Sequence, residues 1–136
     1  MRLLAIDYGA KRSGLAVSDP DQIIAVGLAT VETHMLLVYL HDYIQREKVE
    51  KIIIGEPLNL DDTDTDITER VREFIKKLKR HFPEISIIPV DERFTSKMAQ
   101  RSMLEMGMKK KQRQQKGLVD EIAATLILQE YMSSEK

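Results

Sequence analysis

Carboxylates occupy three places in the sequence that adjoin or interrupt apolar segments. Asp7 ends an apolar, strand-like segment just before Gly9, and Asp120 lies on the otherwise apolar stripe of the last predicted helix. Asp91 and Glu92 directly follow the last predicted strand. Because adjacent residues at a strand end point in opposite directions, only one of this pair can face the same site. We favour Glu92 and keep Asp91 as the alternative.

Carboxylates gathered at one edge of a sheet would repel each other. Two unit charges about 4 Å apart cost roughly 4 kcal/mol at an effective dielectric of 20, so a shared proton or a cation must relieve the repulsion. Hard oxygen ligands suit Mg²⁺. Two such ions about 4 Å apart can activate water and stabilise the leaving oxygen in phosphodiester cleavage. Asp7, Glu92 and Asp120 are therefore predicted to be the metal ligands and catalytic residues of a nuclease that uses Mg²⁺ (or Mn²⁺).

Each acid also has an ordinary structural explanation. Asp7 could cap the turn at Gly9, and Asp120 could gain stability from the positive end of its helix. Asp91, Glu92 and Arg93 could form a polar loop with a surface ion pair of little energetic value. The helix explanation accounts for an acid in the first turn but not for one that faces the core.

Hydrophobic periodicity predicts the elements that must position these acids. The predicted strands cover residues 2–8, 14–18, 24–31, 51–55 and 85–90, and the predicted helices cover 35–48, 66–81, 95–106 and 117–132. Strands joined directly form an antiparallel meander, whereas strands joined through helices pair in parallel with right-handed crossovers. The prediction is an α/β fold with a mixed five-stranded sheet, helices on both faces and one domain over residues 1–136. Ligands bind at the carboxyl ends of the strands in such sheets.

Positive charge is concentrated in one segment although the formal net charge is -1. Residues 97–116 contain seven bases and one acid, which can attract phosphate or form a solvated loop. Phosphate contacts position a nucleic acid without reading its sequence, and aromatic stacking platforms are sparse here. The predicted substrate contacts are Lys11, Arg12, Arg93, Lys109, Lys110, Lys111, Arg113 and Lys116. Lys11 and Arg12 could alternatively be solvated bases at a hairpin tip.

Several other classes of protein are disfavoured. The absence of cysteine excludes a disulfide framework and a thiolate zinc site, and it fits a reducing cytoplasm. The start does not resemble a signal peptide and the apolar run 122–128 is too short to span a bilayer, so a cytoplasmic protein without membrane contact is expected. Asp62, Asp64 and Asp66 suggest a calcium loop, but its sixth position holds Ile67 instead of glycine. Sugar kinases and actin-like ATPases enclose nucleotide between two domains, for which this chain is too short.

Four ordered segments carry a resemblance to a known family. They resemble the motifs of the YqgF family, also called RuvX. The segments are residues 7–17, residues 54–59, residues 91–96 with Ala99, and residues 116–129 around Asp120. The resemblance implies an RNase H-like fold, kinship with the Holliday-junction resolvase RuvC, and maturation of the 5′ end of pre-16S ribosomal RNA. The family's metal ligands would correspond to Asp7, Glu92 and Asp120. Ser13 departs from the family pattern, which commonly has an apolar residue there, and Asp62 replaces a frequent glycine.

The choice of substrate stays open between RNA and DNA. A resolvase must present two sites to a four-way junction, which favours a two-fold dimer. No apolar stripe is predicted beyond the core faces, so a monomer or weak dimer that trims RNA is favoured, with a ribosomal particle as a further partner. The rival hypothesis is a non-catalytic nucleic-acid or ribosome-binding module.

Overall fold

The computed structural model describes residues 1–56, 66–91 and 116–134. Its elements are β1 (Arg2–Asp7), β2 (Arg12–Ser18), β3 (Ala25–Glu32), a 3-10 helix (Thr33–Met35), α1 (Leu36–Arg46), β4 (Val49–Glu56), α2 (Asp66–His81), β5 (Ser86–Asp91) and α3 (Lys116–Ser134). The predicted helix 95–106 lies outside these ranges. A single domain over the whole chain stays a prediction.

The strands form one five-stranded sheet in the order β3-β2-β1-β4-β5. β1 pairs antiparallel with β2, and β2 with β3. β1 pairs in parallel with β4, and β4 with β5. The predicted mixed sheet is confirmed, since strands joined by short turns lie antiparallel and strands joined through helices lie parallel.

Apolar residues alternate between the two faces of the central strands and build a core on each face. Leu4 and Ile6 of β1 belong to the larger core, which includes the inward side chains of α1 and α2. Leu3 and Ala5 point the other way and pack with buried residues of α3. The sheet therefore has helices on both faces, as predicted, with α1 and α2 on one side and α3 on the other.

The element boundaries differ from the predicted ones mainly where non-local contacts extend an element. β2 begins at Arg12 instead of residue 14, because its first residues pair with the end of β3. The chain enters α1 through the 3-10 helix, whose first residue donates from its backbone nitrogen to the carbonyl of Lys11 at 2.9 Å. Local sequence patterns predict that an element is present. They do not predict contacts between residues far apart in the chain, and these contacts fix where the element ends.

Several large apolar side chains remain exposed on the edge strand β3, on the turn before it and at the start of α1. These exposed residues were not anticipated by the prediction that no further apolar stripe lies beyond the core faces. Periodicity identifies the inward face of an element, but it does not show how far the opposing layer extends over an edge strand. The exposed residues in these segments are Ile23, Ile24, Val26, Met35 and Val38. No helix in the described part of the chain is long and apolar enough to cross a membrane.

Candidate active site

Asp7 and Asp120 come together on the face of the sheet that α3 covers. Asp7 ends β1 on the side shared with Leu3 and Ala5, and its partner across β2 is Gly14. A Cβ atom added to Gly14 would collide with the backbone carbonyl of Asp120 and would lie 2.9 Å from the Asp120 Cβ. The first turn of α3 therefore rests directly on Gly14, beside Asp7.

The distance between the two acids follows from this packing. Directly opposed residues of an antiparallel pair have Cβ atoms roughly 5 Å apart, so the Cβ atoms of Asp7 and Asp120 are separated by no more than about 8 Å. Both residues are half-buried. Two carboxylates at this separation can reach a common cation between them, and the partial burial strengthens their attraction for it.

Small residues let α3 approach the sheet this closely. Ala123 and Ala124 follow Asp120 by one turn, and both are buried against the sheet. Ile127 and Leu128 continue the same buried stripe. The predicted inward face of the last helix is confirmed for these residues, and Tyr131 at its end is partly buried. Asp120 is thus an acid at the open end of an apolar helix face.

Arg12, predicted to contact substrate, lies at the edge of the acid pair. Its Nε is 3.7 Å from Asp120 Oδ2, and the two side chains are 42% and 25% exposed. At this exposure the ion pair contributes little to stability. Its importance is chemical, because it places a guanidinium group beside the acids, where a phosphate oxygen would need a positive charge.

The turn between β1 and β2 is held by three hydrogen bonds. The Gly9 nitrogen donates to Ser13 Oγ at 3.3 Å, and Thr33 Oγ1 donates to the Gly9 carbonyl at 2.6 Å. The two hydroxyls are 2.9 Å apart and hydrogen-bond to each other. This network fixes the turn that carries Lys11. The role of Ser13 and Thr33 was not predicted from the sequence, although the departure of Ser13 from the family pattern was an available signal.

The remaining predicted site residues are not placed by the structure. Asp91 ends β5 opposite Glu56, and its side chain is not described. Lys116 begins α3, and its side chain is likewise not described. Outside the described residues lie Glu92, Arg93, Lys109, Lys110, Lys111 and Arg113. Within the described ranges no group of three or more His, Asp or Glu side chains could hold a metal ion, and the structure itself assembles the pair Asp7 and Asp120.

The fold is that of solved junction-resolving nucleases. The fowlpox virus Holliday junction resolvase superposes with a TM-score of 0.61 over 98% of this chain and 99% of that one, at 15% identity. T. thermophilus RuvC in complex with a Holliday junction substrate gives a TM-score of 0.60 over 99% and 95% of the two chains, at 16% identity. The predicted RNase H-like fold is confirmed by these similarities.

Sequence relatives are much closer. A protein of Flavobacterium psychrophilum is 51% identical over 97% of this chain and 96% of its own length. One of Bacteroides thetaiotaomicron is 52% identical over 99% and 98%. Both bear the name "Putative pre-16S rRNA nuclease". A family model described as "RuvX: Holliday junction resolvase" matches residues 1–134. The resemblance found in the sequence motifs is confirmed, and the chain belongs to the RuvX family.

Proposed function

We propose that this protein is a divalent-metal-dependent nuclease that hydrolyses phosphodiester bonds at the carboxyl end of β1. The observation that carries the proposal is the packing of Asp120 on Gly14, which brings the Asp120 carboxylate beside Asp7. A pair of half-buried carboxylates next to a guanidinium group is suited to binding a cation and a phosphate together.

The acid pair fits Mg²⁺ or Mn²⁺, because both ions prefer oxygen ligands. We propose Glu92 as the third ligand. Ile88 and Val90 of β5 pack with the core under α3, so the same alternation extended by one step favours residue 92 over Asp91 for that face. Two ions bound there would activate a water and stabilise the leaving oxygen.

The protein's own side chains have separate tasks in this proposal. Asp7 and Asp120 would hold the ions, and their partial burial would limit competition from water. Arg12 exchanges its contact with Asp120 for one with a non-bridging phosphate oxygen and so orients the scissile phosphate. Lys11 contacts a neighbouring phosphate from the turn. The bases outside the described residues, together with Lys116, extend this phosphate contact.

We propose the 5′ end of pre-16S ribosomal RNA as the substrate. This choice is supported by the names of the relatives that match this chain over nearly their whole length. It implies a cytoplasmic protein that meets its substrate on a ribosomal particle. A four-way DNA junction is the second candidate. It is favoured by the description of the family and by the exposed apolar side chains of Ile23, Ile24 and Val26 at β3 and the turn before it, which could form a dimer seam.

The test compares two labelled substrates in the presence of Mg²⁺ or Mn²⁺, an RNA with the ribosomal 5′ leader and a four-way DNA junction. Asp7→Asn and Asp120→Asn remove a ligand charge at nearly constant shape. We expect metal-dependent cutting of the RNA, with a loss of at least about a hundredfold in each variant and unchanged or tighter binding. Paired nicks in the junction would select the second candidate. Binding without cutting, also in the presence of ribosomal particles, would reject the nuclease in favour of a binding module.

A further inference from the structure

A cleft of about 780 Å³ opens at the same end of β1 as the acid pair, but on the other face of the sheet. Its walls are the turn after β1, the 3-10 helix and the outer part of α2. Pockets that bind small organic groups commonly have volumes of this order. A second cavity of about 430 Å³ shares Tyr8, Phe74 and Lys77 with it, so the opening continues along α2 as a groove.

The charge of the cleft is positive. Lys11, Arg12 and Lys77 line it, and Glu32 is the one acid among its described lining residues. The carboxylate of Glu32 is 3.5 Å from Nε2 of His34, which also lines the cleft. Within the described ranges, the ammonium groups of Lys11 and Lys77 make no hydrogen bond or ion pair. Two cations without an internal partner fit a ligand that brings negative charge.

The inner wall of the cleft is aromatic. The rings of Tyr8 and Phe74 are 5.2 Å apart and inclined by 42°, with Phe74 buried and Tyr8 half-buried. An aromatic surface next to unpartnered cations matches the two parts of a nucleotide, a flat base and a phosphate.

Arg12 connects this cleft with the acid pair. It lines the cleft, and its Nε also lies 3.7 Å from Asp120. The two sites are therefore separated only by the turn after β1. A nucleic-acid strand with one phosphate at the acids could pass over this turn and place its next nucleotides in the cleft. Paired bases could not enter it, because a base must leave the helical stack to reach a side-chain wall.

We propose that the cleft binds an unpaired nucleotide of the substrate, with its phosphate on Lys11 and Lys77 and its base against Tyr8. This inference rests on the proposed function and narrows its substrate class to nucleic acids with a single-stranded segment next to the cut. Lys77 thereby becomes a substrate-binding residue that the sequence motifs do not include. The wrapping of the strand over the turn also explains why that turn is fixed by Ser13 and Thr33.

The test measures binding in EDTA, where no cutting occurs. The ligands are labelled hairpins with a 5′ overhang and matched blunt hairpins, each made as RNA and as DNA. Lys77→Ala should weaken overhang binding about fivefold and reduce the salt dependence by roughly 0.7 in the log–log slope, with blunt hairpins unaffected. Lys79→Ala is the matched control, since Lys79 is exposed on the same helix but does not line the cleft. An equal loss for blunt hairpins, or in the control variant, would overturn the proposal.

Tyr8 provides a second, independent measurement. Tyr8→Phe retains the ring and should retain overhang binding, whereas Tyr8→Leu should weaken it by at least about fivefold. Equal affinities for these two variants, each checked for folding by thermal melting, would refute base packing. A larger effect with RNA or with DNA overhangs identifies the sugar of the ligand, and either supports the cleft. Because cutting is assayed separately, a protein that binds overhangs through Lys77 but never cuts would refute only the nuclease.

Discussion

Gly14 is the residue on which the acid pair depends, although it carries no chemistry of its own. Its missing side chain is the space into which the backbone of Asp120 fits. Any Cβ atom there must push the start of α3 away from the end of β1. The two carboxylates would then separate, and a metal site tolerates little displacement of its ligands.

We therefore expect Gly14→Ala to destabilise the fold by about 1–3 kcal/mol, as overpacking does in a well-packed contact. Cutting should fall on the order of 10- to 100-fold, because the second acid is misplaced. Urea denaturation and single-turnover cleavage measure the two effects. Gly27→Ala is the matched control, since an added Cβ would meet its nearest neighbour, Glu121, at an ordinary 3.5 Å under the same helix. Similar behaviour of both variants would contradict the close approach as the cause.

Asp7 and Asp120 were predictable from the sequence because each breaks a local pattern at one position. Asp7 ends an apolar alternation, and Asp120 starts an apolar helical stripe. The role of Gly14 was not predictable in this way, since it arises from a contact between residues far apart in the chain. Arg12 illustrates the same limit, because its type suggested a phosphate contact but not its position beside Asp120.

At the scale of elements, the turn between β1 and β2 is anchored by hydrogen bonds to Ser13 and Thr33. The turn joins the strand that ends in Asp7 to the strand that begins at Arg12. Its Gly9 carbonyl accepts a hydrogen bond from Thr33 of the 3-10 helix. Lys11 and Arg12 are thus anchored at their backbone even though their side chains are exposed. An anchored turn presents its charges without the entropy loss that a free loop would suffer on binding.

Thr33→Val tests this unit. The substitution keeps the shape but removes the hydrogen bonds that Thr33 makes with the Gly9 carbonyl and with the Ser13 hydroxyl, which should cost about 1–2 kcal/mol of stability. Binding of overhang substrates should weaken as well, because Lys11 is no longer held in place. Thr125→Val provides the comparison, since the Thr125 hydroxyl bonds only to the Glu121 carbonyl of its own helix. Thermal melting and hairpin binding report the difference, and an equally small effect of both changes would show that the turn does not need Thr33.

The directions of strand pairing were predicted correctly for a simple reason. Short connections favour antiparallel neighbours and helical connections favour parallel ones, so the pairing directions follow from the lengths between strands. The boundaries followed less well, as with β2, because they depend on pairing with β3. The 3-10 helix before α1 was also missed, since its residues have no apolar period of their own.

At the scale of the whole molecule, β3 is one of the two terminal strands of the described sheet. Val26 on β3 is 50% exposed among the described residues. Edge strands carry unpaired backbone groups, and an apolar residue among them favours association with another strand. The sequence did not reveal this surface, because the alternation that marks a buried strand face is the same when no layer covers its end.

We expect this edge to support a weak, concentration-dependent dimer, which Val26→Lys should convert to a monomer. A charged side chain opposes strand addition, whereas the fold itself should tolerate lysine at a half-exposed position. Light scattering over a concentration series measures the mass, and Gln45→Lys, which adds the same charge on the exposed side of α1, should leave association unchanged. A constant monomer mass in the unmodified protein, or equal association of both variants, would contradict the prediction. A dimer built through β3 would give the two acid pairs a two-fold relation, as a four-way junction requires, whereas a monomer at all concentrations would leave RNA trimming as the activity consistent with the fold.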